Sequence, residues 1–222
     1  MPARNESQLL AEALARLHDV LTRLTADYEI IVSDSASTDD TIAIARAAAD
    51  ARVHVVQNAL PGKGRAITVG MNAARGVYVG FIDADLEIDP AFIAPLFEAV
   101  TAGADFAIAV KRLTDSQRAP HRRLATTCYN ALMRRLLGTP FTDHQAGLKL
   151  FRFDTLRPWL PQIESNGWFW DSEVLFTLHR AGARGVEVPV RTKHRRASTV
   201  GFIRVSWELF HCAVRLRWQH RH

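Results

Sequence analysis

Four short apolar runs limit what this chain can fold into: Ile30-Ile31-Val32, Val53-His54-Val55-Val56, Val77 to Ile82 and Asp105 to Val110. Each has the length of a strand and is apolar on both sides of the pleat, so it has to be covered on both faces. The segments between them supply the cover. Leu10, Ala13, Leu14, Leu17, Val20, Leu21 and Leu24 recur at helical spacing and predict an amphipathic helix over 7–25. Asp39 or Asp40 can cap a second helix running through Ala49. A third, over 65–74, stops at Gly76, and Pro90 opens a fourth at its first turn. Strands joined by such helices build an α/β domain with a parallel sheet, and ligands of such sheets bind at the carboxyl ends of the strands. Polar clusters follow Val32, Val56 and Ile82. The expected site is therefore lined by Asp34, the 58–64 loop and residues 83–87.

The second half is less regular. A basic helix over about 121–137 precedes a loop carrying Asp143 and a short strand over 148–151. The aromatic stretch 166–170, a helix over 171–181 and a strand over 186–190 follow, and the chain ends in a helical segment over about 200–218. No repeat or linker interrupts it, so residues 1–222 read as one domain, long enough to bury a core without staples. Cys128 and Cys212 lie far apart in no CxxC pairing, which excludes a disulfide scaffold and fits a reducing cytoplasm. No apolar run approaches the roughly 18 residues of a membrane span. The polar start, Met1 to Glu6, lacks the apolar stretch of a signal peptide.

Charge is divided unevenly. Residues 1–100 hold 8 Lys and Arg against 14 Asp and Glu, and residues 101–222 hold 20 against 9, so a net of −6 is followed by a net of +11. A basic half points to an anionic partner: a phosphorylated ligand, an acidic membrane surface or nucleic acid. No nucleic-acid motif is present and the first half is negative, so nucleic acid is not the expected partner. A solvated basic face with no partner is the plainer alternative.

Asp83-Ala84-Asp85, with Glu87 two residues on, is the sharpest chemical feature. Carboxylates gathered at the end of a buried strand repel one another and lose hydration, and a cation relieves both costs. Mg²⁺ or Mn²⁺ suits oxygen ligands of this kind and commonly joins one or two carboxylates to substrate phosphates. A charge cluster at a helix N-terminus ahead of Pro90 would also account for it.

In one fixed order the chain carries Pro2-Ala3-Arg4-Asn5-Glu6, then Glu29 to Asp39 (EIIVSDSASTD), then Gly62-Lys63-Gly64-Arg65-Ala66, then Phe81-Ile82-Asp83-Ala84-Asp85-Leu86. This order resembles glycosyltransferase family 2, of GT-A fold. Asp143 to Phe151 (DHQAGLKLF), the acidic helix start around Trp170-Asp171-Ser172-Glu173, and Glu187-Val188-Pro189-Val190 resemble its dolichyl- or polyprenyl-phosphate mannosyl- and glucosyltransferase branch.

The resemblance implies a donor half over 1–110, an acceptor half over 111–199 and an amphipathic basic helix over 200–222. Pro2, Arg4, Glu6, Val32 and Asp34 would then cradle the nucleoside, Lys63, Asp83 and Ala84 would line the donor nucleotide sugar, and Asp83, Asp85 and Glu87 would hold the metal. Lys111, Arg122, Thr126, Arg195 and Arg196 would grip phosphates, with Arg112, Arg118 and Arg123 nearby. Catalysis would rest on Asp85, Lys111, Arg122 and Asp143. The implied reaction is an inverting, metal-dependent transfer of a hexose from GDP-mannose or UDP-glucose to a polyprenyl phosphate, by a protein peripheral to the cytoplasmic membrane face. A soluble or glycan hydroxyl acceptor would instead need a carboxylate base, for which Asp143, Asp171 and Glu173 are candidates. A basic non-enzymatic module and an inactive transferase stay open beside it.

Three departures from the family pattern matter. Only Met1 stands where an apolar first strand is usual, so that strand is expected to be truncated, with the native start upstream. Lys111 replaces a usual arginine, and Glu87 replaces a usual glutamine. The final helix places Phe202, Val205, Leu209, Ala213 and Leu216 on one face and Arg204, Glu208, His211 and Arg215 on the other, flanked by Trp207 and Trp218. That pattern suits a helix lying in anionic headgroups and a helix packed on the domain equally well.

Overall fold

The computed structural model describes residues 1–111, 120–192 and 202–219, without the side chains of 120–126, 129 and 202–208. The apolar runs become strands: β1 (Pro2–Ala3), β2 (Ile30–Ser35), β3 (Val53–Asn58), β4 (Tyr78–Ile82), β5 (Phe106–Lys111), β6 (Leu148–Arg152) and β7 (Gly185–Val190). Between them lie α1 (Leu10–Leu24), α2 (Thr41–Ala47), α3 (Lys63–Ala73), α4 (Ile93–Thr101), α5 (Pro120–Leu137), the single turn α6 (Phe153–Leu156) and α7 (Trp170–Arg180), with α8 (Phe202–Gln219) last. Helix α3 starts two residues before the expected 65, which draws Lys63 out of the loop and into its first turn.

The sheet differs in one respect from a single parallel array. Strands β1, β2 and β3 form a parallel three-stranded sheet in that order, and β4, β6, β5 and β7 form a second, four-stranded sheet. Strand β6 runs antiparallel to both β4 and β5, whereas β5 and β7 are parallel. The first strand is short. With only Pro2 and Ala3 in register against Ser33 and Asp34, β1 pairs with β2 and reaches no other described strand.

Two cores cover the two faces. Along β5, Ala107 and Ala109 belong to the core formed with Leu14 and Leu17 of α1 and Ile93 and Leu96 of α4 on one side. Phe106 and Ile108 pack on the other with Ile67 and Met71 of α3 and Val174, Leu175 and Leu178 of α7. A third cluster holds the described part of the last helix. Leu209, Ala213 and Leu216 of α8 are buried against Met133 and Leu137 of α5 and against Phe169 and Phe176. That face is packed on the domain, and among the described side chains of α8 the exposed large apolar ones are Val214 and Trp218.

Candidate active site

Strands β1, β2, β4 and β5 deliver their carboxyl-terminal residues to one end of the molecule. Three non-glycine residues with left-handed backbone follow the first three of them: Asn5 (φ 54°), Ala36 (φ 55°) and Leu86 (φ 51°). Left-handed backbone costs an L-residue about 1–2 kcal/mol, and such strain collects where a loop has to present groups to a ligand.

On the β2 side, Asp34 is 1% exposed. Its Oδ2 accepts the Ser37 amide at 3.2 Å, and its buried Oδ1 has no hydrogen-bond partner. Asn58 braces the same segment, its Nδ2 donating to the Asp34 carbonyl at 2.8 Å. Pro2 lies beside this strand end through the β1–β2 register, and Arg4 is exposed just beyond it. The Glu6 amide donates to Thr41 Oγ1 at 2.8 Å. The Val32 side chain is fully buried in the core, so only its backbone can face a ligand.

Beneath the acidic loop sits a network of two lysines and two aspartates. The Lys63 ammonium lies 3.0 Å from Asp83 Oδ1 and 3.2 Å from Asp171 Oδ2. Lys149 Nζ donates to Asp171 Oδ1 at 2.5 Å and to the Ala146 carbonyl at 2.8 Å. Lys149 and Asp171 have no solvent exposure at all, and the Phe81 ring faces both ammonium groups, at 5.2 and 5.4 Å. Burial works against every one of these charges, and their pKa shifts show which effect wins. For Asp171 burial is outweighed by Lys149 and Lys63, which hold its carboxyl below the ordinary carboxylate range. For Lys63 burial is outweighed by Asp171 and Asp83, and it titrates above an ordinary lysine. Burial prevails at Lys149, which is lowered, and at Asp83, which is raised against the pull of Lys63 and with a push from Asp85.

Lys63 thus faces carboxylates. The amides that open α3 are also engaged, since Gly64 N donates to the Gly167 carbonyl at 3.2 Å and Arg65 N to that of Asn166 at 3.1 Å. A Cβ on Gly64 would sit 2.4 Å from the Ser165 carbonyl, so only glycine allows this docking. The start of α3 is a packing seam with the 165–167 loop. Glu173 belongs to the same seam, its two oxygens accepting the Glu164 and Ser165 amides at 3.0 and 2.9 Å.

Gly147 is matched to Asp83 in the same way. The Asp83 amide donates to the Gly147 carbonyl at 2.9 Å, and a Cβ on Gly147 would lie 2.1 Å from Asp83 Oδ2. Gly147→Ala should push the Asp83 carboxylate off Lys63 and destabilise the protein by about 1–3 kcal/mol. Urea unfolding measures this, and an unchanged midpoint would mean that Asp83 has room to move.

The other expected residues fall into two groups. Asp85 Oδ1 accepts the Glu87 amide at 2.9 Å, Glu87 Oε2 lies 2.9 Å from Lys111 Nζ, and the Lys111 amide donates to Asp143 Oδ2 at 3.4 Å. Asp143 is 6% exposed, and its other oxygen accepts the Gln145 amide at 3.2 Å. Ala84 is buried in the core. The second group, Arg112, Arg118, Arg195 and Arg196, lies outside the described residues, as do the side chains of Arg122, Arg123 and Thr126 on α5. Among the described residues, no three His, Cys, Asp or Glu side chains form a cluster able to hold a metal ion by themselves.

Sequence reasoning missed Lys149 and took Asp171 for a helix cap or a base. A lysine inside the apolar run Leu148-Lys149-Leu150-Phe151 was the available signal, because a buried cation demands a buried anion.

Comparison with known proteins agrees with this geometry. Over 97% of its length the chain superposes on glucosyl-3-phosphoglycerate synthase from Mycobacterium tuberculosis, solved with Mn²⁺, uridine diphosphate and phosphoglyceric acid, with a TM-score of 0.75, 22% identity and 76% of that chain covered. That likeness shows the GT-A fold. The chain is 31% identical to the glycosyltransferase AglD of Haloferax volcanii over 99% of its own length, but spans only 36% of that relative. It is 34% identical to an undecaprenyl-phosphate mannosyltransferase of Micrococcus luteus, with 86% of this chain and 80% of that protein covered. The model of the family described as "Glycosyl transferase family 2" matches residues 1–159. On that match and these identities, the chain belongs to glycosyltransferase family 2.

Proposed function

We propose that this domain transfers a hexose, with inversion, from a nucleoside-diphosphate sugar to the phosphate of a polyprenyl lipid. The donor reading is carried by Asp34: a carboxylate buried to 1% exposure with one oxygen unsatisfied costs the free protein stability and is relieved by an N–H donor of a bound ligand, as a nucleobase offers. The acceptor reading is supported by the Micrococcus relative, whose name specifies undecaprenyl phosphate, and by the basic second half of the chain.

The donor set fits a divalent cation held by one protein carboxylate, diphosphate oxygens and water. Asp85 is the group in that position, since Asp83 is held by Lys63 and Glu87 by Lys111. Mg²⁺ or Mn²⁺ bound there would stabilise the charge of the departing nucleoside diphosphate. The rest belongs to the chain itself. Asp34 and the Pro2 strand end orient the nucleoside. Lys111, with Arg122, Thr126, Arg195 and Arg196 as proposed partners, positions a phosphate that is already anionic and needs no general base. Asp171 between two lysines and Glu173 on two amides are committed to structure, which disfavours a hydroxyl acceptor activated by either.

Among the described residues no helix is long and apolar enough to cross a membrane. Peripheral contact with an anionic cytoplasmic face would fall to Trp218 and Val214 beside Arg215 and Arg217.

The test is a transfer assay with GDP- and UDP-hexoses, a prenyl phosphate and Mn²⁺. A glycolipid of inverted anomeric configuration, lost on adding chelator, is the expected product. Transfer to a glycan hydroxyl with none to the prenyl phosphate would overturn the acceptor assignment.

A further inference from the structure

Two departures from the family pattern, Glu87 and Lys111, turn out to be bonded to each other. Glu87 Oε2 lies 2.9 Å from Lys111 Nζ, and the two side chains are only 20% and 16% exposed, so solvent screens the pair weakly. The backbone beneath Glu87 has little freedom to carry it away. Leu86 is buried and left-handed, Ile88 is buried and bridged to Thr192, and the Glu87 amide is held by Asp85. Lys111 is fixed in turn by its place in β5 and by its amide contact to Asp143. Both backbones are held, so the contact between the two side chains is what an incoming anion has to exchange.

We propose that Glu87 sets the affinity of the acceptor site by occupying the Lys111 ammonium until a phosphate monoester takes its place. This rests on the reading of Lys111 as an acceptor cation. An anion arriving at Lys111 has to replace a carboxylate already at contact distance. A phosphate monoester, near two negative charges at neutral pH, can do so, whereas a carboxylate merely exchanges like for like and a hydroxyl has no charge with which to compete. The bond therefore lowers affinity by one common factor for every ligand that needs the Lys111 ammonium, and only an anion that binds it strongly is held. The Lys111–Glu87 contact is exchanged and no covalent step is involved.

Calorimetry in chelator, so that no cation can engage Glu87, tests this with farnesyl monophosphate as the lipid probe and glycerol phosphate as the soluble one. Glu87→Gln keeps the side-chain volume and removes the charge, and it is expected to tighten both probes about tenfold. In a Lys111→Met background the same change should give no gain, because the competitor has lost its target. Tighter binding of farnesyl monophosphate in every variant identifies the lipid headgroup as the source; equal affinities identify a free phosphate monoester. Thermal unfolding by circular dichroism confirms that each variant is folded. Binding that falls in Lys111→Met but ignores Glu87→Gln overturns this inference and spares the acceptor assignment. An equal gain in the Lys111→Met background overturns it too, as a general charge effect. Absence of phosphate binding in every form overturns both.

Discussion

Lys149→Met is expected to destabilise the protein by about 3–5 kcal/mol, the usual cost of leaving a buried charge without its partner. At about 2–4 °C per kcal/mol for a chain of this size, the unfolding midpoint should fall by roughly 10 °C. The cause is the arithmetic of the network. Two ammonium groups now face two carboxylates, and removing one leaves Asp83 and Asp171 sharing Lys63, with Asp171 at zero exposure. The diagnostic control is Lys149→Met combined with Asp171→Leu, which retains the neutral Lys63–Asp83 pair and fills the space with apolar groups. The double variant should recover much of the loss, since replacing both members of a buried pair is far milder than breaking it. Losses that simply add would show that the two side chains are not coupled.

Asp85→Asn is expected to abolish divalent-dependent binding of a nucleoside diphosphate and to slow transfer about a thousandfold, roughly 4 kcal/mol of barrier. The fold should not suffer, because an asparagine Oδ1 can accept the Glu87 amide as Asp85 Oδ1 does. Calorimetry with and without Mn²⁺ separates the possibilities. Lost metal dependence with an unchanged unfolding midpoint places the cation on Asp85. Mn²⁺ dependence equal to that of the unmodified protein would remove Asp85 from the metal.

The strands from Ile30 to Lys111 were legible because runs apolar on both faces have few other stable arrangements. The direction of β6 was not: five residues, three of them apolar, specify a strand but not its neighbours, and β6 lies antiparallel between β4 and β5. In the site, Asp34 and the Asp83–Glu87 loop were visible from their position after strands. Lys63 was expected to line the donor nucleotide sugar because the segment Gly62 to Ala66 resembles the family pattern. The structure surrounds it with Asp83 and Asp171 because α3 begins earlier and its glycines admit the 165–167 loop. Lys149 in its apolar run announces a buried anion, but nothing local identifies Asp171, 22 residues on, as the carboxylate that supplies it.

The division of the sheet has a consequence for how the chain is made. Strand β4 has β6 as its sole ladder partner among the described residues, and β6 is synthesised about 70 residues later. Lys63, paired with Asp83, meets Asp171 later still. A nascent chain ending near residue 110 thus exposes an unpaired apolar edge, and the first half cannot complete its sheet alone. Such long-range closure slows folding and lengthens the interval in which the open edge is accessible to chaperones.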